Sequence, residues 1–388
     1  MDSIQHEPSN LNPYLPTDPT FAVHPAAGRS CKLKSMRKCL VLLAVLAGAG
    51  SSQDISRDLP YVSVDIRRAP VAPQTAGGYL LQYELFVTNW YDKDITIRAV
   101  DILAGDVLVR RIEGEAMGRL FAAGSGQTAV VGPRQTTTIV LSGVANDLPT
   151  KLNHRIHFRI AGDSQDTVVR YPGTPVHKDV LRLRPPLRGD SWVAMEGPGG
   201  NNHHTAGVVQ FEGRNLVPQR FAIDFVRAYD DGQLVHGDPE DVHNYRCYGA
   251  EVFAVADARV ILVRDDIPDN PGQAKANALP DTLANLGGNR VVLDLGGGKF
   301  ASYMHLQPRS IRVKVGDSVR VGDVLAVVGN SGAPAPHLHF QMNDGPGPMI
   351  SEGLPYVFDS FVRDGKKVSD QIPLDGWVVG FESAADQR

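Results

Sequence analysis

Two imidazoles stand two positions apart in the segment PHLHFQM, Pro336 to Met342. Read as a strand, it puts His337, His339 and Gln341 on one face and Leu338, Phe340 and Met342 on the other. Such a pair is either a polar patch on an edge strand or one wall of a site, depending on what meets it. Three other stretches of the same half carry suitable groups. RFAIDFV sets Asp224 on the face opposite Phe221, Ile223 and Phe225; GGNNHHTAG holds His203 and His204 in a Gly/Asn loop; SYMHL places Tyr303 and His305 on a common face at i and i+2.

These residue types suit one chemistry in particular. A catalytic zinc site takes three protein ligands of nitrogen or oxygen type and leaves a further position for water. Two histidines and an aspartate meet that requirement. A metal so held lowers the pKa of its water to about 7 and polarises a carbonyl. Remaining imidazoles can then move protons, a contribution of roughly 10²–10⁴ in rate. Plainer readings exist for each residue. His305 could be a satisfied core histidine and Asp224 a salt-bridge carboxylate, while Tyr303 reads more simply as a packed ring than as a donor to an oxyanion. His236 and His243, in DDGQLVHGDPEDVHNYR, read as solvated loop residues. His154 and His157 are three apart on a strand, on opposite faces, and make poor joint ligands. Cys247 reads as a small buried hydrophobe.

The elements that must position these groups are short strands. From residue 55 to 165 the chain alternates in bursts, YVSVDIRRA, YLLQYELFVTNW, ITIRAVDIL, TTTIVLSGV and HRIHFRI, separated by Gly, Pro, Asp and Asn turns. Even spacing of this kind predicts an immunoglobulin-like antiparallel β-sandwich, without visible chemistry. Residues 166–190, rich in Pro and charge, read as a linker. From 191 to 388 the chain is again strand-rich. NRVVLDLGGGKFASYMHL reads as two strands joined by Gly296-Gly297-Gly298, a hairpin turn rather than a phosphate loop, since no helix follows. GQAKANALPDTLANLGG could hold a short helix or a loop over the sheet.

The chain has 388 residues, 42% of them hydrophobic and 21% charged, which allows two domains each with its own core. A formal net charge of −4 gives no reason to expect a nucleic-acid partner or an anionic membrane surface. Residues 1–35 are polar, Pro-rich and aperiodic, and read as disordered or as lying before the true start at Met36. MRKCLVLLAVLAGA, residues 36–49, has the basic, apolar and small-residue regions of a signal peptide, too short to span a bilayer. The expectation is export, to a periplasm or beyond, with no membrane span after signal removal. No cysteine follows the small residues, so no lipid anchor is expected there. Cleavage removes Cys31 and Cys39 and leaves Cys247 without a disulfide partner.

HH…AIDF, SYMHL, VKVGDSVRVGDVLAVVGNSG and PHLHFQM, in this order between about Ser191 and Met342, resemble the lysostaphin/LytM-type zinc metallopeptidases. The resemblance implies a largely antiparallel β core related to the barrel-sandwich hybrid, a Zn²⁺ ion in a groove, and peptide cross-bridges or stem peptides of bacterial peptidoglycan as substrate. Carried over, it makes His204 (with His203 the alternative), Asp224 and His339 the metal ligands and His305 and His337 the catalytic imidazoles. The family's first His and its Asp usually stand a few residues apart; here His204 and Asp224 are separated by 20 positions, so the intervening chain must loop out or supply a strand. Family members that act as non-catalytic regulators or wall-binding modules have usually lost metal ligands, and none is obviously missing here. A lipoyl-like carrier of the same fold would need a lysine at the hairpin tip, where this chain has GNSG.

Overall fold

The computed structural model describes residues 20–21, 61–121, 128–273, 278–280, 282 and 285–382. The expected signal peptide over 36–49, with Cys31 and Cys39, lies outside them. The expected helix-or-loop segment 272–288 lies partly outside; its described residues are turns and coil.

The protein is mostly β. In the N-terminal half, β1 (Val62–Asp65), β2 (Gly78–Asn89) and β5 (Thr136–Ala145) form one sheet, with β2 between the others. Strands β3 (Ile95–Ala104), β4 (Val107–Glu113), β6 (Lys151–Ile160) and β7 (Thr167–Pro175) form a second, in the order β7-β6-β3-β4. Leu81, Tyr83, Leu85 and Leu141 of the first sheet share one buried cluster with Ile97, Val100, Ile156 and Phe158 of the second. The two sheets therefore face each other across an apolar layer, as alternation predicts.

Two features depart from the sequence expectation. The linker expected over 166–190 is largely structured. Thr167–Pro175 is an edge strand paired with β6, and its Pro172-Gly173 is absorbed by a register shift between Tyr171 and Thr174. Proline is tolerated at such an edge because no ladder bond is demanded of it. Leu181–Leu183 runs parallel to β14 (Tyr356–Arg363) in the C-terminal half. The second departure is β2, which is buried on both faces from Leu80 to Val87. Leu80, together with Val144 of β5, belongs to the core cluster of the C-terminal half, so the sandwich is docked upon that half by its outer sheet face.

The C-terminal half is organised by one long sheet. In spatial order it contains Leu181–Leu183, β14, β15 (Val378–Phe381), β8 (Gly189–Met195), β9 (Ile223–Arg227), β13 (Leu338–Asn343), β12 (Phe300–Leu306), β11 (Asn289–Asp294) and β10 (Ala258–Arg264). One face is apolar, with Trp192, Phe225, Tyr303, Phe340, Tyr356, Phe358 and Phe381 all in one cluster. The turn between β11 and β12 is the predicted glycine triplet. Gly296, Gly297 and Gly298 have φ of 81, 61 and 70°, a left-handed run that side chains resist.

Candidate metal centre

Register brings the site together. Phe340 and Leu338 point into the core, so His339 and Gln341 take the opposite face of β13. Asp224 is directly opposite His339 across the β9–β13 ladder, and the neighbouring residues Ile223 and Phe225 are buried in the core. Antiparallel partners share a face. The Asp224 Oδ1 therefore lies 2.8 Å from His339 Nδ1.

His204 arrives from outside the sheet. It sits in the four-residue helix α1 (His203–Ala206), started by Asn202, whose side chain accepts from the Thr205 N–H while Thr205 Oγ1 accepts from the Asn202 N–H. This reciprocal cap fixes a turn too short to be stable alone. The 20 positions between His204 and Asp224 loop out as expected and supply a hairpin, Val209–Phe211 with Arg214–Leu216. His204 Nε2 ends 3.7 Å from Asp224 Oδ2, and its ring meets that of His339 at 4.7 Å, nearly perpendicular. His337, just before β13, brings Nε2 to 3.5 Å from Asp224 Oδ1. Its ring pairs with His305 at 4.7 Å. By distance alone His337 is as near the carboxylate as His204; exposure separates them, the His204 and His339 side chains being 2% exposed and His337 10%.

His305 reaches the site by a backbone device that alternation does not foresee. Tyr303 opposes Phe340 and Met304 opposes His339, so a regular strand would turn His305 toward the core along with Tyr303. Instead His305 has φ of 60°, the left-handed region. Its N–H donates to Gly287 O and its carbonyl accepts from Gly329 N, both at 3.0 Å. The twist separates the two residues predicted to share a face. Tyr303 stays fully buried with its hydroxyl accepting from the Val255 N–H at 2.9 Å, a packed ring as the plainer reading had it.

Each imidazole has a defined hydrogen position. His204 Nδ1 lies 2.9 Å from Glu196 O, His305 Nδ1 2.8 Å from Ser331 O, and His337 Nδ1 2.8 Å from Ala335 O. Carbonyl oxygens only accept, so these three Nδ1 atoms donate, and in the neutral ring each Nε2 presents a lone pair. His339 is inverted. Its Nε2 donates to Gln341 Oε1 at 2.7 Å, and the Gln341 amide is oriented by its own donation to Asn343 Oδ1 and Pro348 O. His339 Nδ1 is thus the lone-pair atom, and it faces a carboxylate oxygen at 2.8 Å. Two acceptors at that distance require a cation to join them: a proton, making an imidazolium, or a metal ion. The donor set of nitrogen and oxygen atoms, each histidine anchored through its other nitrogen, fits a divalent metal such as zinc.

Electrostatics follow from burial. Desolvation pushes His204 down to about 3, against the pull of Asp224. Desolvation likewise holds His305 well below the usual imidazole range, with His337 and His339 adding to the effect. Burial raises Asp224, but His337, His204 and His339 together outweigh it and hold the carboxyl well below its ordinary value. His203 differs. Its Nδ1 is 3.0 Å from Glu196 Oε2, its side chain is 63% exposed, and Glu196 raises its pKa. Ligand atoms of His203, His204 and Asp224, one from each, nevertheless lie within 4.8 Å of one another.

Among other residues weighed from sequence, Cys247 is buried with Sγ donating to Pro336 O at 3.1 Å, and burial pushes its thiol up to about 12. His236 and His243 are paired with Asp231 and Asp241 in exposed turns. The roles of Glu196, Gln341 and Ser331 as anchors were not read from sequence, and only Gln341 carried a signal, its place at i+2 from His339.

No curated protein matches the chain. Its fold is similar to the catalytic domain of the prophage-encoded M23 protein EnpA from Enterococcus faecalis, at 19% identity over 44% of this chain and 92% of that one, TM-score 0.26. It is similar to the catalytic domain of lysostaphin from Staphylococcus simulans, at 19% identity over 44% and 88%, TM-score 0.22. A putative peptidase M23 from Pseudomonas aeruginosa is similar at 15% identity over 66% and 92%, TM-score 0.22. Residues 244–349 match the profile described as Peptidase family M23, a stretch that contains His305, His337 and His339 and begins after His204 and Asp224. The C-terminal half of this chain therefore contains, over residues 244–349, a match to peptidase family M23.

Proposed function

We propose that the chain is an exported zinc endopeptidase that hydrolyses peptide bonds in the cross-links or stem peptides of bacterial peptidoglycan. The observation that carries this reading is the convergence of His204, His337 and His339 lone pairs on Asp224 within an M23 domain. In this reading His204, Asp224 and His339 hold the metal, and His203 is a surface residue paired with Glu196. A bound zinc ion supplies an acidified water and an electrophile for the scissile carbonyl. The chain's own residues supply the rest. His305 and His337 sit ring to ring beside the ligands, each held through Nδ1 by a backbone carbonyl, which leaves Nε2 to accept a proton from water and return one to the departing amine. Backbone carbonyls of Ser331 and Ala335 fix the orientation of the two rings.

The test is digestion of purified sacculi with the mature protein, followed by mass spectrometry of released peptides. Chelator-sensitive release, restored by zinc, is the expected result. Absence of release across several cross-link types, by a protein that binds zinc, would refute the peptidase activity and leave a wall-binding or regulatory role. Export rests on residues 36–49 alone; the mature N-terminus of secreted material is expected near Gly50, and one upstream of Met36 would refute it.

A further inference from the structure

The two ligand-bearing approaches to the candidate centre are held by the other half of the protein. In β2, Gln82 is 1% exposed and its amide reaches both. Its Oε1 accepts from the Gly199 N–H at 2.9 Å, five residues before His204, and its Nε2 donates to the Arg220 carbonyl, four residues before Asp224. Two positions along, Glu84 takes Arg220 Nε and Nη2 at 2.8 Å each, and Arg220 Nη2 also meets Glu352 at 2.9 Å, all three side chains largely buried. Across the ladder, Val140 opposes Glu84 and packs against Ala206 and Val208, two and four positions after His204. Gln82, Glu84 and Val140 thus form one patch on the outer face of the sandwich, fitted to the chain on either side of the Val209–Leu216 hairpin.

Such a patch has a physical purpose. When two ligands are close in sequence, the local backbone couples their positions. Here 20 residues intervene, and the entropy of closing so long a loop is charged against metal binding unless something else closes it first. Within segment 197–206 there are a four-residue helix and a few turn bonds, and the C-terminal half holds its first residues, where Asp375 accepts from the Gly197 N–H and donates its own N–H to Pro198 O. The sandwich couples the two approaches by binding the segment at Gly199 and the hairpin's return at Arg220 through one amide.

We propose that Gln82, backed by Val140, is a positioning residue for the metal centre, and that the sandwich is a fixed buttress of the M23 site rather than a separate binding module. The inference rests on the reading of His204, Asp224 and His339 as zinc ligands. Gln82 touches no ligand side chain; it acts by holding the backbone that presents them.

The test uses the full chain with Gln82→Ala and Val140→Ala made separately, and zinc itself as the probe, titrated in competition with a chromophoric chelator. Zinc affinity is expected to fall about 10-fold in each, the lower end of what losing an outer support costs a metal site. Amide hydrogen exchange over 199–206 in the metal-free protein is expected to accelerate while β9 and β13 stay protected. A variant that melts earlier yet holds zinc as tightly as wild type would show a merely structural role and overturn the proposal; if Gln82→Ala does not fold, Val140→Ala decides it. Wild type that binds no zinc would instead sink the metal-centre reading itself, so the two failures are distinct.

Discussion

Replacing His305 by glycine and by alanine isolates the backbone device that turns this side chain into the site. Both substitutions remove the imidazole and its bond to Ser331 O, so they share that loss. They differ in what φ of 60° demands. The left-handed region costs a residue with a Cβ about 1–2 kcal/mol. Glycine pays nothing there, but gives up about 0.5–1 kcal/mol of unfolded-chain entropy relative to alanine. The difference leaves His305→Gly more stable than His305→Ala by up to about 1.5 kcal/mol, whereas at a regular strand position alanine wins by about 0.5–1 kcal/mol. The sign is therefore diagnostic. Equilibrium urea unfolding of the two variants side by side measures it, with turnover in both expected to drop roughly 10²–10⁴-fold. An alanine variant more stable than the glycine one by about 0.5–1 kcal/mol would show that His305 is not held in the strained region, and the explanation of how it leaves the core face would fail.

Further expectations concern the ligands, their anchors and pH. His339→Ala and Asp224→Ala should lose zinc, whereas His305→Ala should retain it and lose turnover; equal zinc loss in His305→Ala, read by metal analysis after dialysis, would reverse that division. Gln341→Leu removes the acceptor that keeps the hydrogen on His339 Nε2, and should weaken zinc binding about 10–100-fold in a chelator competition. In the sandwich, burial pushes His154 down to about 4 from an ordinary value of 6.5. Above pH 6.5 both folded and unfolded states hold it neutral; below, only the unfolded state takes the proton. Stability should thus fall between pH 6.5 and 4 by about 1.4 kcal/mol per unit from this residue, about 3 kcal/mol in all. His154→Gln, which keeps an acceptor for Tyr83, should flatten that part of a stability–pH profile.

Much of the site was legible because it is written in strand period. The alternation in PHLHFQM and RFAIDFV correctly assigned His339 and Asp224 to the face away from Leu338, Phe340, Ile223 and Phe225, since a core face can tolerate neither a carboxylate nor a free imidazole. The same rule misplaced His305 beside Tyr303, because period 2 presumes regular φ and says nothing of a single left-handed residue. The expected linker failed for a related reason. Pro172-Gly173 reads as loop chemistry, yet an edge strand absorbs both by a shift in register. Burial of Gln82 and Glu84 was invisible, since polar residues alternating with Leu81, Tyr83 and Leu85 read as a solvated face. Only the docking of a second domain makes them interior, where Arg220 and Gly199 satisfy them.

If His204, Asp224 and His339 together hold one divalent cation, metal should stay with the protein when free ions are removed. Metal analysis of the full chain, saturated with zinc and then dialysed exhaustively, measures this without recourse to activity. About one zinc per wild-type chain is expected and almost none in Asp224→Ala, as a three-ligand site deprived of its carboxylate requires. A folded wild-type protein that emerges free of zinc, or an Asp224→Ala variant that keeps its full complement, would contradict that assignment.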